Sequence, residues 1–303
     1  MSYSFYCFVK KIVGLFILLV IFNAQTLYAD RGSIPFHPDV KIFKPKQRAM
    51  IAWNGNEEIL LLSTDLRASA KTKVLEIIPL PAEPVVKRGD VEVFKKAIKL
   101  INQKLQERYD KTVQKEGQEK VTHSLAGEVT FHQSIGAHDI MVIHVLDMNS
   151  FIEWVEKYFR ADEIENPEIP EAMKAVVNEY LKEGFSWFVF DVVSLDKEPK
   201  TNEAIQYRFA TESLFYPLRI TRTEEGETSI ELLVFTPRLL RRFSGLSIEE
   251  IKFPYEAMSM SSKELRSLNE EMDDLLGNKE SVKLRLWHIE GELSGFKKDL
   301  IVR

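Results

Sequence analysis

The alternation of apolar and polar positions divides the chain into runs of strand separated by a few helices. Gln47–Trp53 and residues 58–62 are β-type runs on either side of Asn54-Gly55, a dipeptide suited to the positive φ angles of a tight hairpin. Ile59-Leu60-Leu61-Leu62 is apolar at every position, which predicts a strand covered on both faces. Thr72–Leu80 reads as a third strand, halted by Pro79-Leu80-Pro81 because proline donates no ladder hydrogen bond. At Asp90, a capping residue, the period changes to that of a helix. Phe94, Ile98, Ile101 and Leu105 share one stripe, and Lys95, Lys96, Lys99 and Lys104 lie off it. A helix with one basic side suits a membrane surface, but Glu92 and Glu107 break up the charge, and a solvated outer face accounts for the pattern better.

Strand patterns resume over residues 128–133 and 138–146, separated by Ile135-Gly136-Ala137. Asn149 opens a helix carrying Phe151, Ile152, Trp154, Val155 and Tyr158. An acidic link with a proline, residues 162–168, leads to a second helix over Glu171–Lys182, which Gly184 ends. Residues 185–193 form a strongly aromatic strand, and further β-type segments follow at 205–209, 214–222 and 229–236. Ser261-Ser262-Lys263-Glu264 has the form of a capping box for a helix running to about Gly277, and a last strand covers 282–290. Because strands come in runs between isolated helices, the pattern predicts an α+β fold with a largely antiparallel sheet and several packed helices. Its core is expected to include Trp154, Trp187 and Tyr216. No internal repeat is present, and the link around Pro167 is the one weak boundary.

Several short motifs occur in an order that resembles a known family. They are Ile135-Gly136-Ala137-His138-Asp139-Ile140, Trp154 in its helix, Tyr180-Leu181-Lys182-Glu183-Gly184-Phe185 and Phe215-Tyr216-Pro217-Leu218-Arg219. Residues 75–84 with Pro79-Leu80-Pro81, Glu290-Gly291-Glu292-Leu293 and Asp299-Leu300 are similar to it as well. The family comprises exported prokaryotic proteins known as domain of unknown function 2330. Many members carry a cysteine-glycine-glycine motif after the leader, where this chain has Arg31-Gly32-Ser33-Ile34-Pro35-Phe36. The resemblance implies secretion and a shared fold, and no activity.

The N-terminus agrees with export. Lys10-Lys11 precedes the apolar run 12–22, which falls short of the ~20 residues needed to span a bilayer, and Ala29 supplies a small residue for cleavage. Residues 1–29 are therefore read as a secretory signal and 30–303 as a single domain; the alternative is an uncleaved anchor. The chain has 303 residues, 41 basic and 46 acidic, with a net charge of −5, and removal of the leader makes that −7. Such a balance opposes nucleic-acid binding, which needs a basic surface. Cys7, the only cysteine, lies in the leader, so thiolate zinc, thiol catalysis and disulfides are excluded from the mature chain. No mature segment is long and apolar enough to span a membrane.

Candidate chemistry is sparse. There is no glycine-rich phosphate loop, no His-Glu-x-x-His, no Gly-x-Ser-x-Gly and no EF-hand loop. His123, His132, His138 and His144 cluster in sequence, but six residues of strand put His138 and His144 about 20 Å apart. His132 and His138 can meet only if Gly136 turns the chain back, so no metal and no cofactor are expected. Asp191 shares a strand face with Trp187, Val189 and Val193, a setting that raises a carboxyl pKa unless a partner is present. Arg238, Arg241 and Arg242 form a small basic knot, read as a solvated turn over an anion site. The carboxylates between 162 and 171 read as a polar link over a loose calcium site. The expected function is a non-enzymatic extracytoplasmic module that binds a protein or envelope ligand. The alternative is a secreted hydrolase, with or without a metal, built on His132 and His138.

Overall fold

Apolar side chains on both faces of two sheets fix the layering, seen here in a computed structural model. It describes residues 31–37, 39–40, 42–43, 47–116, 138–161, 168–197, 200–201, 204–224, 226–240, 243–244, 251–277 and 281–303. The larger sheet runs in the order Ile251–Lys252, Val282–Glu292, Glu227–Thr236, Gln47–Trp53, Glu57–Ala68, Ile205–Ala210, Val85–Arg88. The smaller contains Gly32–Pro35, Thr72–Leu80, Trp187–Leu195 and His138–His144, in that order. A three-stranded piece made of Leu214–Tyr216, Leu300–Val302 and Phe243–Ser244 lies beside them.

The two sheets pack face to face. Ala49, Ile51, Leu60, Leu62, Leu232 and Trp287 of the larger sheet share a buried layer with Ile78, Leu80 and Val189 of the smaller. On the outer face of the larger sheet, Met50, Ile59, Leu61 and Leu233 meet Phe94 and Ile101 of the helix Glu92–Glu116, and Leu265 and Met272 from 262–275. On the outer face of the smaller, Leu75, Ile77, Phe188 and Phe190 meet Phe151 and Val155 of the helix Met148–Ala161, and Val177 and Tyr180 of the helix Glu171–Lys182. The all-apolar run 59–62 is thus buried on both faces, as its pattern requires.

The hairpin at Asn54-Gly55 forms as read. The Asn54 Oδ1 accepts the backbone N–H groups of Asn56 and Glu57 at 2.8 and 2.9 Å, and Gly55 holds φ at +111°. Its second strand continues to Ala68, well past Leu62, and the chain then turns a corner into Thr72–Leu80 of the smaller sheet. Leu66 and Ala68 pack with Val74, Val193 and Leu195 at that corner. Pro79 sits inside its strand opposite Phe188, two residues beyond Ile77, where the ladder to Gly32–Pro35 ends.

The strands are mostly antiparallel and the helices few, but the larger sheet is mixed, since Glu227–Thr236 runs parallel to Gln47–Trp53. These partners are far apart in sequence, and no local hairpin signal announces such a pairing. The expected strand over 214–222 stops at Tyr216; Pro217 ends it, and Arg219–Thr223 turns as a 3-10 helix. The capping box at Ser261 and Glu264 closes in both directions. Its helix does not run on to Gly277 unbroken. Asn269, at φ −153°, splits it into Ser262–Leu268 and Glu270–Leu275, and its side chain caps the second piece at Met272. Tyr216 is buried, whereas Trp154 and Trp187 are half-buried at the margins of the core. The strand pattern at 128–133 lies outside the described residues.

Candidate functional site

Three polar groupings stand out: one buried, one partly buried and one open cleft. In the first, Asp191 and Glu76 face one another across adjacent strands in the layer between the sheets, and both are fully buried. Like charges opposite each other repel. Arg31 relieves this pair: its Nη1 lies 2.5 Å from Glu76 Oε2 and 3.5 Å from Asp191 Oδ2, and it is itself buried. The alternation in 185–193 put Asp191 on its apolar face but gave no hint of Arg31, 160 residues away. All three charged groups are buried, on strand faces that also carry Val74, Ile78, Val189 and Val193.

The second grouping unites three of the stretches that carry the family resemblance. Tyr180 donates its hydroxyl to Asp299 Oδ1 at 2.7 Å, and the Arg219 backbone N–H donates to the same oxygen at 2.9 Å. The Arg219 guanidinium lies 4.0 Å over the Tyr180 ring, forms a bidentate pair with Glu183 and approaches Asp299 Oδ2 at 3.5 Å. Arg222 pairs with Glu179 beside it. Burial pushes the Asp299 carboxyl up to about 6, although Tyr180, the Arg219 N–H and the guanidinium all pull it down. The Tyr180 hydroxyl is raised well above its ordinary value, by burial and then by Asp299. Burial works against the charge on Arg219, but Glu183, Asp299 and Tyr180 outweigh it and raise its pKa. This network ties the last strand, Leu300–Val302, to the end of the helix Glu171–Lys182. It acts as a latch.

The third is a cleft of about 230 Å³ between the helix Glu92–Glu116 and the outer face of the larger sheet. Phe94, Ile98 and Ile101 line one wall, Pro254 and Tyr255 another, and Leu233 and Leu286 the floor. Arg108 donates to the Ala257 carbonyl at 2.9 Å and Lys104 pairs with Glu264 at 2.7 Å, which braces the helix against its neighbours. Register places Leu233 opposite Leu286, and two residues along the same strands Glu231 lies between Arg48 and His288. The floor therefore changes from apolar to polar over about 7 Å. Arg48 Nε is 3.5 Å from Glu231 Oε2, and the Arg48 side chain is nearly buried.

Ser229 and Glu290 stand beside His288 of this polar row, and the three have the residue types of a hydrolytic triad. Ser229 Oγ and Glu290 Oε1 both contact the same ring nitrogen, His288 Nε2, at 2.9 Å. A relay needs the acid on one nitrogen and the nucleophile on the other. This trio cannot act as one.

The sequence candidates fall elsewhere. His123 and His132 lie outside the described residues, and His138 and His144 occupy opposite ends of the edge strand His138–His144. His144 is exposed and stacks on Trp187 at 4.5 Å. Arg238 is exposed, while Arg241, Arg242 and residues 162–167 lie outside the described residues. Among the described residues no three His, Cys, Asp or Glu side chains cluster in a way that could hold a metal ion, and no helix is long and apolar enough to cross a membrane. Of the cleft, the sequence pattern shows only Phe94, Ile98 and Ile101, as one helical stripe.

Fold and site together define a two-sheet protein with outer helices and a small amphipathic cleft. The chain belongs to the family DUF2330, described as an uncharacterized protein conserved in bacteria, which it matches over residues 28–283. No curated protein matches it. Among solved structures, baculovirus P35 is similar at 9% identity and a TM-score of 0.41, covering 89% of this chain and 99% of that one. A mutated baculovirus P35 after caspase cleavage is similar at 8% identity and a TM-score of 0.34, covering 86% and 93%. Likeness this loose carries no argument about fold or activity.

Proposed function

We propose that this chain is an exported bacterial binding protein that holds a small ligand in the cleft beneath the helix Glu92–Glu116, and that it is not an enzyme. The cleft carries the reading: it is an open concavity with apolar walls and a few converging polar groups, the usual form of a ligand site. Export is supported by Lys10-Lys11, the apolar run 12–22 and the small residue Ala29. It is supported further by a family match that begins at residue 28, and by Arg31 being part of the core two residues beyond Ala29.

Two measurements test this. Intact mass of protein recovered from its native compartment is expected to begin at Asp30; a full-length, membrane-retained species would mean that the leader is an anchor. The neutral fluorophore 1-aminoanthracene is expected to enter the cleft, and Ile98→Trp, which fills it from the helix side, is expected to abolish uptake with unchanged circular dichroism. Equal uptake by both proteins would place binding elsewhere and refute the cleft.

A further inference from the structure

We infer that the cleft selects amphipathic molecules whose head group is uncharged, and that the Arg48–Glu231 pair sets this selectivity; the inference rests on the cleft being a ligand site. The cleft measures about 230 Å³, the scale of a small organic molecule. The apolar part of such a molecule fits over Leu233 and Leu286, against Phe94, Ile98 and Ile101. The head group then falls on the next row of side chains, where Arg48, Glu231 and His288 stand on three adjacent strands.

That row decides the chemistry. Among the described lining residues Arg48 is the one arginine or lysine and Glu231 the one carboxylate, and they already contact each other at 3.5 Å. A carboxylate head would gain Arg48 but meet Glu231 at nearly the same distance; an ammonium head would gain Glu231 and meet Arg48. Either ion would lose its hydration without a net opposite charge to replace it. A hydroxyl or amide avoids this cost, since it can accept from Arg48 and donate to Glu231 while leaving the pair intact. The remaining polar lining groups, Asn102, Tyr255 and His288, offer further hydrogen bonds.

The probes are 1-octanol, octanoate and octylammonium, compared at pH 7 by competition against 1-aminoanthracene. Octanol is expected to bind the native protein at least tenfold more tightly than either ion. Glu231→Gln is the decisive variant because Glu231 is about a third exposed and the change preserves its shape. It is expected to raise the affinity for octanoate relative to octanol by tenfold or more. Arg48→Gln should do the same for octylammonium. Equal affinities of the three chains for native protein, or an octanoate affinity unmoved by Glu231→Gln, would overturn the selectivity while leaving the cleft as a site. Failure of both the dye and every chain to bind would instead remove the cleft reading itself.

Discussion

Replacing Asp299 by asparagine tests whether the latch is built as the buried network suggests. Asp299 is almost wholly enclosed, and burial lifts its carboxyl from 3.8 to about 6 against the hydrogen bonds from Tyr180 and Arg219. The folded protein therefore holds this proton more tightly than the unfolded chain does. Stability from this group is fully present below the unfolded value near 4 and is lost as the pH rises through about 6. At 1.36 kcal/mol per factor of ten, the full shift amounts to about 3 kcal/mol, of which about 2 kcal/mol falls between pH 4 and pH 7.5. Asparagine retains an oxygen for Tyr180 and the Arg219 N–H but does not titrate. Urea denaturation of both proteins at pH 4, 5, 6 and 7.5 isolates the effect, because Glu179, Glu183 and the other carboxylates contribute to each and cancel in the difference. Native protein is expected to lose about 2 kcal/mol relative to Asp299→Asn as the pH rises across this range. Profiles parallel to within about 0.5 kcal/mol would show that Asp299 ionises normally, and the latch would have to be solvated.

Further outcomes follow from the other groupings. Arg31→Met removes the cation that Glu76 and Asp191 share, so it is expected to cost about 3–5 kcal/mol in chemical denaturation; a loss below about 1 kcal/mol would mean that Arg31 is not essential to that cluster. Trp154→Ala is expected to cost about 2 kcal/mol, between a fully buried aromatic and a surface site, because Trp154 lies at the edge of its helix's contact with the smaller sheet. A loss above about 4 kcal/mol would place it in the core proper. Elemental analysis of untagged protein is expected to find no stoichiometric zinc; one equivalent that disappears on His132→Ala or His138→Ala would contradict this.

What the residues determine by themselves is local. Asn54-Gly55 makes its hairpin because both the side chain and the φ angle it needs belong to those two residues. The capping box at Ser261 closes because its partners are three residues apart, and 59–62 is buried on two faces because no position in it tolerates water. The family motifs belong with these, since they mark the latch of Tyr180, Arg219 and Asp299, and so specify the fold more than the cleft. Membership of the family was legible for the same reason: short motifs in a fixed order are a property of the chain. Tertiary structure decided everything that depends on partners distant in sequence. It paired Glu227–Thr236 in parallel with Gln47–Trp53, brought Arg31 between Glu76 and Asp191, and aligned Arg48, Glu231 and His288 on neighbouring strands. Each of those three residues reads alone as an ordinary polar position in an alternating strand. They become a row only when cross-strand register puts them about 5 Å apart, and register is a property of the assembled sheet.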